Sequence, residues 1–284
     1  MSDSREAGLT LRGPGVDAEL QAKRDRLRAI LETLGRTVVA YSGGVDSAFL
    51  LVEAKRALGD RVEGAIADSP SLPRTELDQA LALAGERGIS VRVIETREME
   101  RDAYVANGPD RCYHCKDELF GCLEALAETE GWSTIAYGAV TDDLGDVRPG
   151  MRAADRYQVR APLLEAGLGK LEVRVLARDL GLPVWDKPQS ACLASRIPHG
   201  SAVTREKLRQ VERGEEWLRG AFGLRVVRLR HEGSRARIEV GLGEIARIST
   251  DAAISRIRQQ LGALGFQDVW IDPAGYRRAD PSPS

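Results

Sequence analysis

The stretch Thr37–Leu50, TVVAYSGGVDSAFL, decides the fold. Its first five residues form an unbroken β-branched and apolar run, the pattern of a strand buried on both faces. A loop follows, Ser42-Gly43-Gly44-Val45-Asp46-Ser47, and then a helical run to Leu58. Successive backbone N–H groups in such a loop form an anion nest, and the helix start adds partial positive charge. Gly43 and Gly44 let the backbone approach a phosphate, while the hydroxyls of Ser42 and Ser47 can donate to it. A bare Ser-Gly-Gly would be an ordinary turn; the whole hexapeptide between strand and helix points to a nucleotide. Neither GxxxxGK[ST] nor GxGxxG is present, which disfavours both the common P-loop and a dinucleotide fold.

Outward from that stretch, further strands are predicted at Val62–Ala67, Val91–Ile94 and Ser133–Tyr137, with helices at about 73–86 and 113–128 between them. This alternation predicts an α/β fold with a doubly wound parallel sheet covered on both faces. Upstream, Leu20, Leu27, Ile30, Leu31 and Leu34 recur at helical spacing, and Gly35 stops the helix. Downstream come a turn-rich TDDLGDVRPG, a helix at Lys170–Leu180, and DKPQSACLASRIPHG (186–200), which reads as a loop. The pattern then changes to a helix at Thr204–Leu218, a hairpin LRVVRLR-HEGS-RARIEV, helical sequence to Leu264, and a strand at Asp268–Ile271. The expected organisation is an α/β domain over 17–186, a cysteine-bearing linker loop over 187–200, and a smaller α+β domain over 201–276. Flexible tails are expected at 1–16 and 277–284.

Across 284 residues, 43% are hydrophobic and 30% charged, which argues against wholesale disorder. No run approaches the roughly 20 apolar residues of a membrane helix. The opening MSDSREAGLTLRGPG lacks a secretory apolar core, so a cytoplasmic, non-membrane protein is expected. The net charge of −2 does not advertise a nucleic-acid binder. Of 41 Lys+Arg and 43 Asp+Glu, 15 and 11 lie from Ser201 onward, so the C-terminal part is mildly basic.

Four cysteines occur, Cys112, Cys115, Cys122 and Cys192. In a cytosolic chain they read as free, metal-binding or catalytic rather than disulfide-forming. Cys112-Tyr113-His114-Cys115 precedes a predicted helix. A CxxC serves zinc, iron–sulfur or redox chemistry, and three thiolates without a clear fourth suit an open cluster better than closed structural zinc. Cys122 reads as structural; Cys192, in polar loop sequence, reads as functional, with Ser195 and Arg196 lining the same pocket. Alternation in the hairpin puts Val227, Leu229, Ile238 and Val240 on one face and Arg228, Arg230, Arg237 and Glu239 on the other. Guanidinium forks suit phosphates and carboxylates. Asp142 and Asp143 suit ion binding or loop fixing, and His199 and His231 read as surface or loop-packing residues.

SGGVDS resembles the signature of the PP-loop ATP pyrophosphatases, which split ATP between the α and β phosphates and adenylate a substrate. More particular stretches are similar to one family within them, the LarE sulfur transferases: AYSGGVDSAFL, GPDRCYHCKDELF, TDDLGDVRPGMRAA, APLLEAGLGK, WDKPQSACLASRIPHG and RARIEV. They run from about residue 20 to 275. The resemblance implies an ATP- and Mg²⁺-dependent enzyme of nickel-pincer cofactor biosynthesis for lactate racemase. Its substrate would be pyridinium-3,5-biscarboxylic acid mononucleotide, with one carboxylate adenylated and converted to a thiocarboxylate. Ser42, Gly43, Gly44, Asp46 and Ser47 would hold the nucleotide phosphates and Mg²⁺, and Asp68 the adenosine. Arg228 and Glu239 would bind the substrate.

In one branch of the family a cysteine matching Cys192 gives up its sulfur and becomes dehydroalanine. In another, CxxC and that cysteine hold a [4Fe-4S] cluster, and Cys112, Cys115 and Cys192 resemble this second branch. A homo-oligomer through the smaller domain is also implied, with no nucleic acid. Where the family often has Gly-Thr-Asn, this chain has Gly138-Ala139-Val140. Two other readings compete: a tRNA-thiolating PP-loop enzyme, and a nucleotide-binding or zinc-stabilised assembly protein.

Overall fold

The computed structural model describes residues 14–144, 149–188 and 191–276. Residues 1–13 of the tail expected over 1–16, the tail expected over 277–284, the motif residues 145–148, and Gln189 and Ser190 lie outside these, whereas residues 14–16 are helical. In chain order the first elements are α1 (Pro14–Glu32), β1 (Thr37–Ala40), α2 (Val45–Leu58), β2 (Val62–Asp68), α3 (Arg74–Glu86), β3 (Val91–Glu95), α4 (Asp102–Val105) and α5 (Arg111–Glu130). Then come β4 (Thr134–Tyr137), α6 (Pro149–Arg156), α7 (Pro162–Glu165), α8 (Lys170–Asp179) and α9 (Arg205–Phe222). The chain ends in β5 (Val227–Glu232), β6 (Arg235–Val240), α10 (Ile245–Ile248), α11 (Asp251–Ala263) and β7 (Asp268–Ile271).

Two compact units form. Of the described residues, the first takes in 14–68, Arg74–Thr96, 112–144 and 149–188; the second takes in Ser69–Pro73, Arg97–Arg111 and 191–276. In the first unit the sheet order is β3-β2-β1-β4, all parallel. All four residues of β1 are buried, as the unbroken apolar run requires of a central strand. Val38, Ala40, Ala65 and Ile135 pack with Phe120 and Leu123 of α5, while α2 packs against α1 and α8. From β1 the chain steps outward through β2 and β3, then returns to the other side of β1 as β4. Strand order therefore reverses between β1 and β4, and open α/β sheets bind ligands beyond the strand C-termini at such a switch point. Ser42–Ser47 leaves the C-terminal end of β1 at this place.

The second unit holds the sheet β5-β6-β7, antiparallel between β5 and β6 and parallel between β6 and β7. Val227, Leu229, Ile238 and Val240 are buried against Leu218, Ile257 and Leu261 of α9 and α11. Pairing runs from Val227 opposite Val240 to Glu232 opposite Arg235. His231 and Glu232 are thus strand, and Gly233-Ser234 alone makes the turn, with Gly233 at φ +67°. The four-residue turn expected from HEGS is corrected by this register; a two-residue turn needs glycine's left-handed conformation and nothing more. Odd-numbered β5 residues face the core, so His231 is a buried strand residue, not the surface or loop-packing residue expected from the sequence.

Candidate functional site

The Ser42–Ser47 loop is held open by its own hydroxyls. Ser47 Oγ donates to the Gly44 carbonyl (3.2 Å), accepts from the Ser42 amide (3.1 Å), and lies 3.0 Å from Ser42 Oγ. Gly43 takes φ +70°, and a Cβ there would stand 2.7 Å from the Ala80 Cβ, so both conformation and space demand glycine. Gly44 is the N-cap of α2 in extended conformation, with no side chain capping the helix. The first N–H groups of α2 are thereby left without a side-chain cap, the condition for anion binding at a helix N-terminus. At Gly138, just past β4, a Cβ would come within 2.9 Å of the Ser47 amide nitrogen. The switch-point strand thus presses on the loop from the side.

Asp46, in the first turn of α2, has a buried Oδ1 with no hydrogen-bond partner. Burial, reinforced by Asp143, pushes its carboxyl up to about 6, against the opposing charges of Lys170 and Arg174. A hard, orphaned carboxylate oxygen at an uncapped helix start is of the kind that suits Mg²⁺, which prefers one or two carboxylates plus phosphate oxygens. Asp142 and Asp143 both take part in fixing the loop. Asp142 accepts from the Lys170 amide at the start of α8 (2.7 Å), and Asp143 accepts from the Val140 amide (3.1 Å) and pairs with the Lys170 ammonium (3.1 Å). Asp68 ends β2 at the sheet's C-terminal edge, its carboxylate paired with Arg74.

Among the described residues no cysteine is in a disulfide. α5 begins at Arg111, so Cys112 and Cys115 lie inside its first turn rather than ahead of it. Spaced three apart they share one helix face; Cys112 is exposed and Cys115 half-buried. Cys122 is half-buried, its Sγ 3.8 Å from Glu118 Oε1 one turn back. Cys192 belongs to the second unit and is exposed. Among the described residues no group of three or more His, Cys, Asp or Glu side chains is assembled to hold a metal ion. The sequence brings two of the three predicted ligands together.

On the polar side of the hairpin, Arg228 stands opposite Glu239 and Arg230 opposite Arg237. Arg228 and Glu239 are both buried. Glu239 is engaged by two guanidiniums, Arg230 (3.0 Å) and Arg237 (3.3 Å). Arg228 lies over the Tyr276 ring, 5.1 Å from its centre. Burial and the charges of Arg196 and Arg219 lower its pKa, with Glu215 and Tyr276 opposing. A guanidinium disfavoured by its own neighbours is a place where a bound anion gains.

The chain is 41% identical over 258 residues to an uncharacterized protein of Synechocystis sp., covering 91% of this chain and 96% of that one. It is 36% identical over 262 residues to the pyridinium-3,5-bisthiocarboxylic acid mononucleotide synthase of Lactiplantibacillus plantarum, covering 92% and 94%. The chain belongs to the LarE family of sulfur transferases. A more distant likeness is to the tRNA-specific 2-thiouridylase of Azorhizobium caulinodans, 33% identical over 218 residues but only 63% of this chain and 55% of that one. No protein-family model matches the chain.

As a LarE family member the chain is an enzyme with the PP-loop ATP pyrophosphatase fold, and the strand–loop–helix arrangement around SGGVDS was legible in the sequence. Less legible was Glu215. It is 1% exposed, bonded to Arg196 and Arg219, and accepts from the Leu229 amide (3.0 Å). Its signal was present in the sequence: Leu208, Val211, Glu215 and Leu218 share one helical stripe, so an acid stands at a core position of α9. Arg196, expected to line a pocket with Cys192, is instead 1% exposed, with its charge turned to Glu215. The polar sequence around it gave no hint, because its partner lies 19 residues away.

Proposed function

We propose that this enzyme adenylates a carboxylate of pyridinium-3,5-biscarboxylic acid mononucleotide at the Ser42–Ser47 nest and converts it to a thiocarboxylate with sulfur carried at Cys192. The observation that supports this most is the 36% identity to the mononucleotide synthase over nine-tenths of both chains. The nest and the open start of α2 would bind the ATP phosphates, and Asp46 would supply a Mg²⁺ ligand. The metal neutralises phosphate charge as the carboxylate attacks the α phosphorus and pyrophosphate leaves. Adenylation turns a poor electrophile into one with AMP as leaving group, and a thiolate is the competent nucleophile. Attack by Cys192 Sγ on the acyl carbon expels AMP and leaves a thioester. Loss of the Cα proton and cleavage of the Cβ–S bond then release the thiocarboxylate and leave dehydroalanine. Arg228 and the Arg230–Glu239–Arg237 group would hold the phosphate and carboxylates of the substrate.

A [4Fe-4S] cluster would be held by Cys112, Cys115 and Cys192 and would supply the sulfur in renewable form. Two thiols in the first turn of α5 support it. The steps carried by the chain's own residues need only the Cys192 thiolate. Products of the lactate racemase cofactor pathway, a homo-oligomer and a cytoplasmic setting complete the reading. No described helix is long and apolar enough to cross a membrane.

The test is product analysis with ATP, Mg²⁺ and the pyridinium mononucleotide. AMP and pyrophosphate should appear only when the mononucleotide is present, together with a thiocarboxylate; ADP and orthophosphate would contradict the reading. Iron and acid-labile sulfide after anaerobic reconstitution then separate the two sulfur supplies, with about four irons per chain expected for a cluster. Iron-free protein in which Cys192 becomes dehydroalanine marks the consumed form.

A further inference from the structure

The second unit spends an unusual number of polar side chains on one short loop. Cys192 precedes the 3₁₀ turn Leu193–Arg196 and is exposed, yet the backbone around it is bonded at almost every step. The Leu193 amide donates to the Ser71 carbonyl (2.8 Å). Arg111 donates to the Ala194 carbonyl (3.0 Å) and Arg230 to the Ser195 carbonyl (3.0 Å). Asn107, fully buried, donates to the carbonyls of Ile197, Pro198 and Ser201.

Arg196 differs from these because it acts on both sides of the cysteine. Its Nη1 is shared among the carbonyls of Ala191 and Cys192 and the Ser195 hydroxyl. The other edge of the guanidinium forks onto Glu215, Nε to Oε1 at 2.8 Å and Nη2 to Oε2 at 3.2 Å. Glu215 is itself fixed by Arg219 (2.6 Å) and by the Leu229 amide on β5. The carbonyls of Ala191 and Cys192 belong to the two planar peptide units that flank the Cys192 Cα. Because each unit is rigid, holding both oxygens fixes φ and ψ of Cys192 and therefore the direction of its Cα–Cβ bond. Only a planar fork can face a carboxylate on one edge and two carbonyls on the other; an ammonium cannot. A buried ion pair is also a poor device for stability, since apolar replacements are often as stable. Its use under an exposed thiol calls for another reason.

We propose that Arg196, oriented by Glu215, is a positioning residue for Cys192, fixing where the thiol points during sulfur transfer. This rests on Cys192 being the sulfur-bearing residue. The experiment follows Arg196→Lys with three readouts: pyrophosphate release, thiocarboxylate formation, and amide hydrogen exchange of residues 192–197. Pyrophosphate release should stay within about twofold of the unaltered enzyme, while thiocarboxylate formation falls about a hundredfold, the scale of a misplaced reacting group. The Ser195 and Ile197 amides, which donate to the Cys192 and Ala194 carbonyls, should exchange faster. Equal loss of both activities, or loss of neither, overturns the proposal. Should Arg196→Lys fail to fold, the double variant Arg196→Met with Glu215→Leu replaces the pair by apolar side chains and must show the same split. Cys192→Ala separates the two levels of the argument. If it still forms thiocarboxylate, the role of Cys192 falls; if it does not, and Arg196→Lys does so normally, the positioning role alone falls.

Discussion

Asp46 carries a stability cost that its function explains. Its carboxyl is raised from 3.8 to about 6, first by burial and then by Asp143. A raised acid is protonated more readily in the folded state, so the cost is absent below pH 3.8, grows between 3.8 and 6, and is complete above 6. The shift corresponds to about 3 kcal/mol at neutral pH. Asp46→Asn should therefore gain up to about that much stability in urea unfolding at pH 7 without Mg²⁺ or ATP, and gain nothing near pH 3.5. The same variant should lose pyrophosphate release. Equal stability of the two proteins at pH 7 would mean that the buried Oδ1 is not a strained charge. Gly43 makes the complementary case. An alanine there must adopt φ +70° and press on Ala80, which together cost about 2–3 kcal/mol. A thermal unfolding scan of Gly43→Ala should show a clear drop, whereas alanine at Gly59, where φ is +62° and nothing lies within 4 Å of the added Cβ, should show only the backbone part.

At the scale of the element, β5 shows how far periodicity reaches. Alternation assigned Val227 and Leu229 to the core and Arg228 and Arg230 to the other face, and the register agrees. The same alternation puts His231 in the core, and a surface or loop-packing place was expected for it only because its partner is not evident in the sequence. His231 Nε2 lies 2.9 Å from Gln210 Oε1 on α9, and its ring packs on Phe266. Burial lowers its pKa below 6.5, with Lys207 adding to the effect and Glu206 opposing it. The folded state then takes up a proton less readily than the unfolded chain, so stability is whole above about pH 6.5 and declines as pH falls through that value. The urea midpoint of the second unit should follow this course, and His231→Gln should flatten it. An unchanged slope in the variant would assign the acid sensitivity elsewhere, with Glu215 the next group to examine. Its carboxyl is held below the ordinary range by Arg196 and Arg219 despite burial, so its contribution is lost only at lower pH. The strands and long helices were legible because each carries its own period. The Arg196–Glu215 pair and the segments Ser69–Pro73 and Arg97–Arg111 were not, because they act through partners far away in the chain.

At the scale of the whole molecule, charge separates the sulfur insertase from a tRNA-thiolating enzyme. The excess of 15 basic over 11 acidic residues from Ser201 onward permits a phosphate-bearing partner when only residues are counted. In the structure five of those arginines already face carboxylates. Arg219 pairs with Glu215, Arg230 and Arg237 with Glu239, Arg235 with Asp268, and Arg247 with Glu244. A guanidinium held by a carboxylate releases few counterions on meeting a phosphate, and counterion release is what gives nucleic-acid binders their affinity and steep salt dependence. Arg228, buried and pressed by neighbouring positive charge, suits one small anion rather than a helical backbone. A gel-shift titration with bulk tRNA should accordingly show no complex at about 50 mM salt, the range where a protein making many phosphate contacts binds tightly. The pyridinium mononucleotide should protect the second unit from thermal unfolding, and Arg228→Ala should remove that protection. A tRNA complex that weakens tenfold or more as salt rises to about 200 mM would reverse the assignment, because only a continuous row of free cations produces that slope.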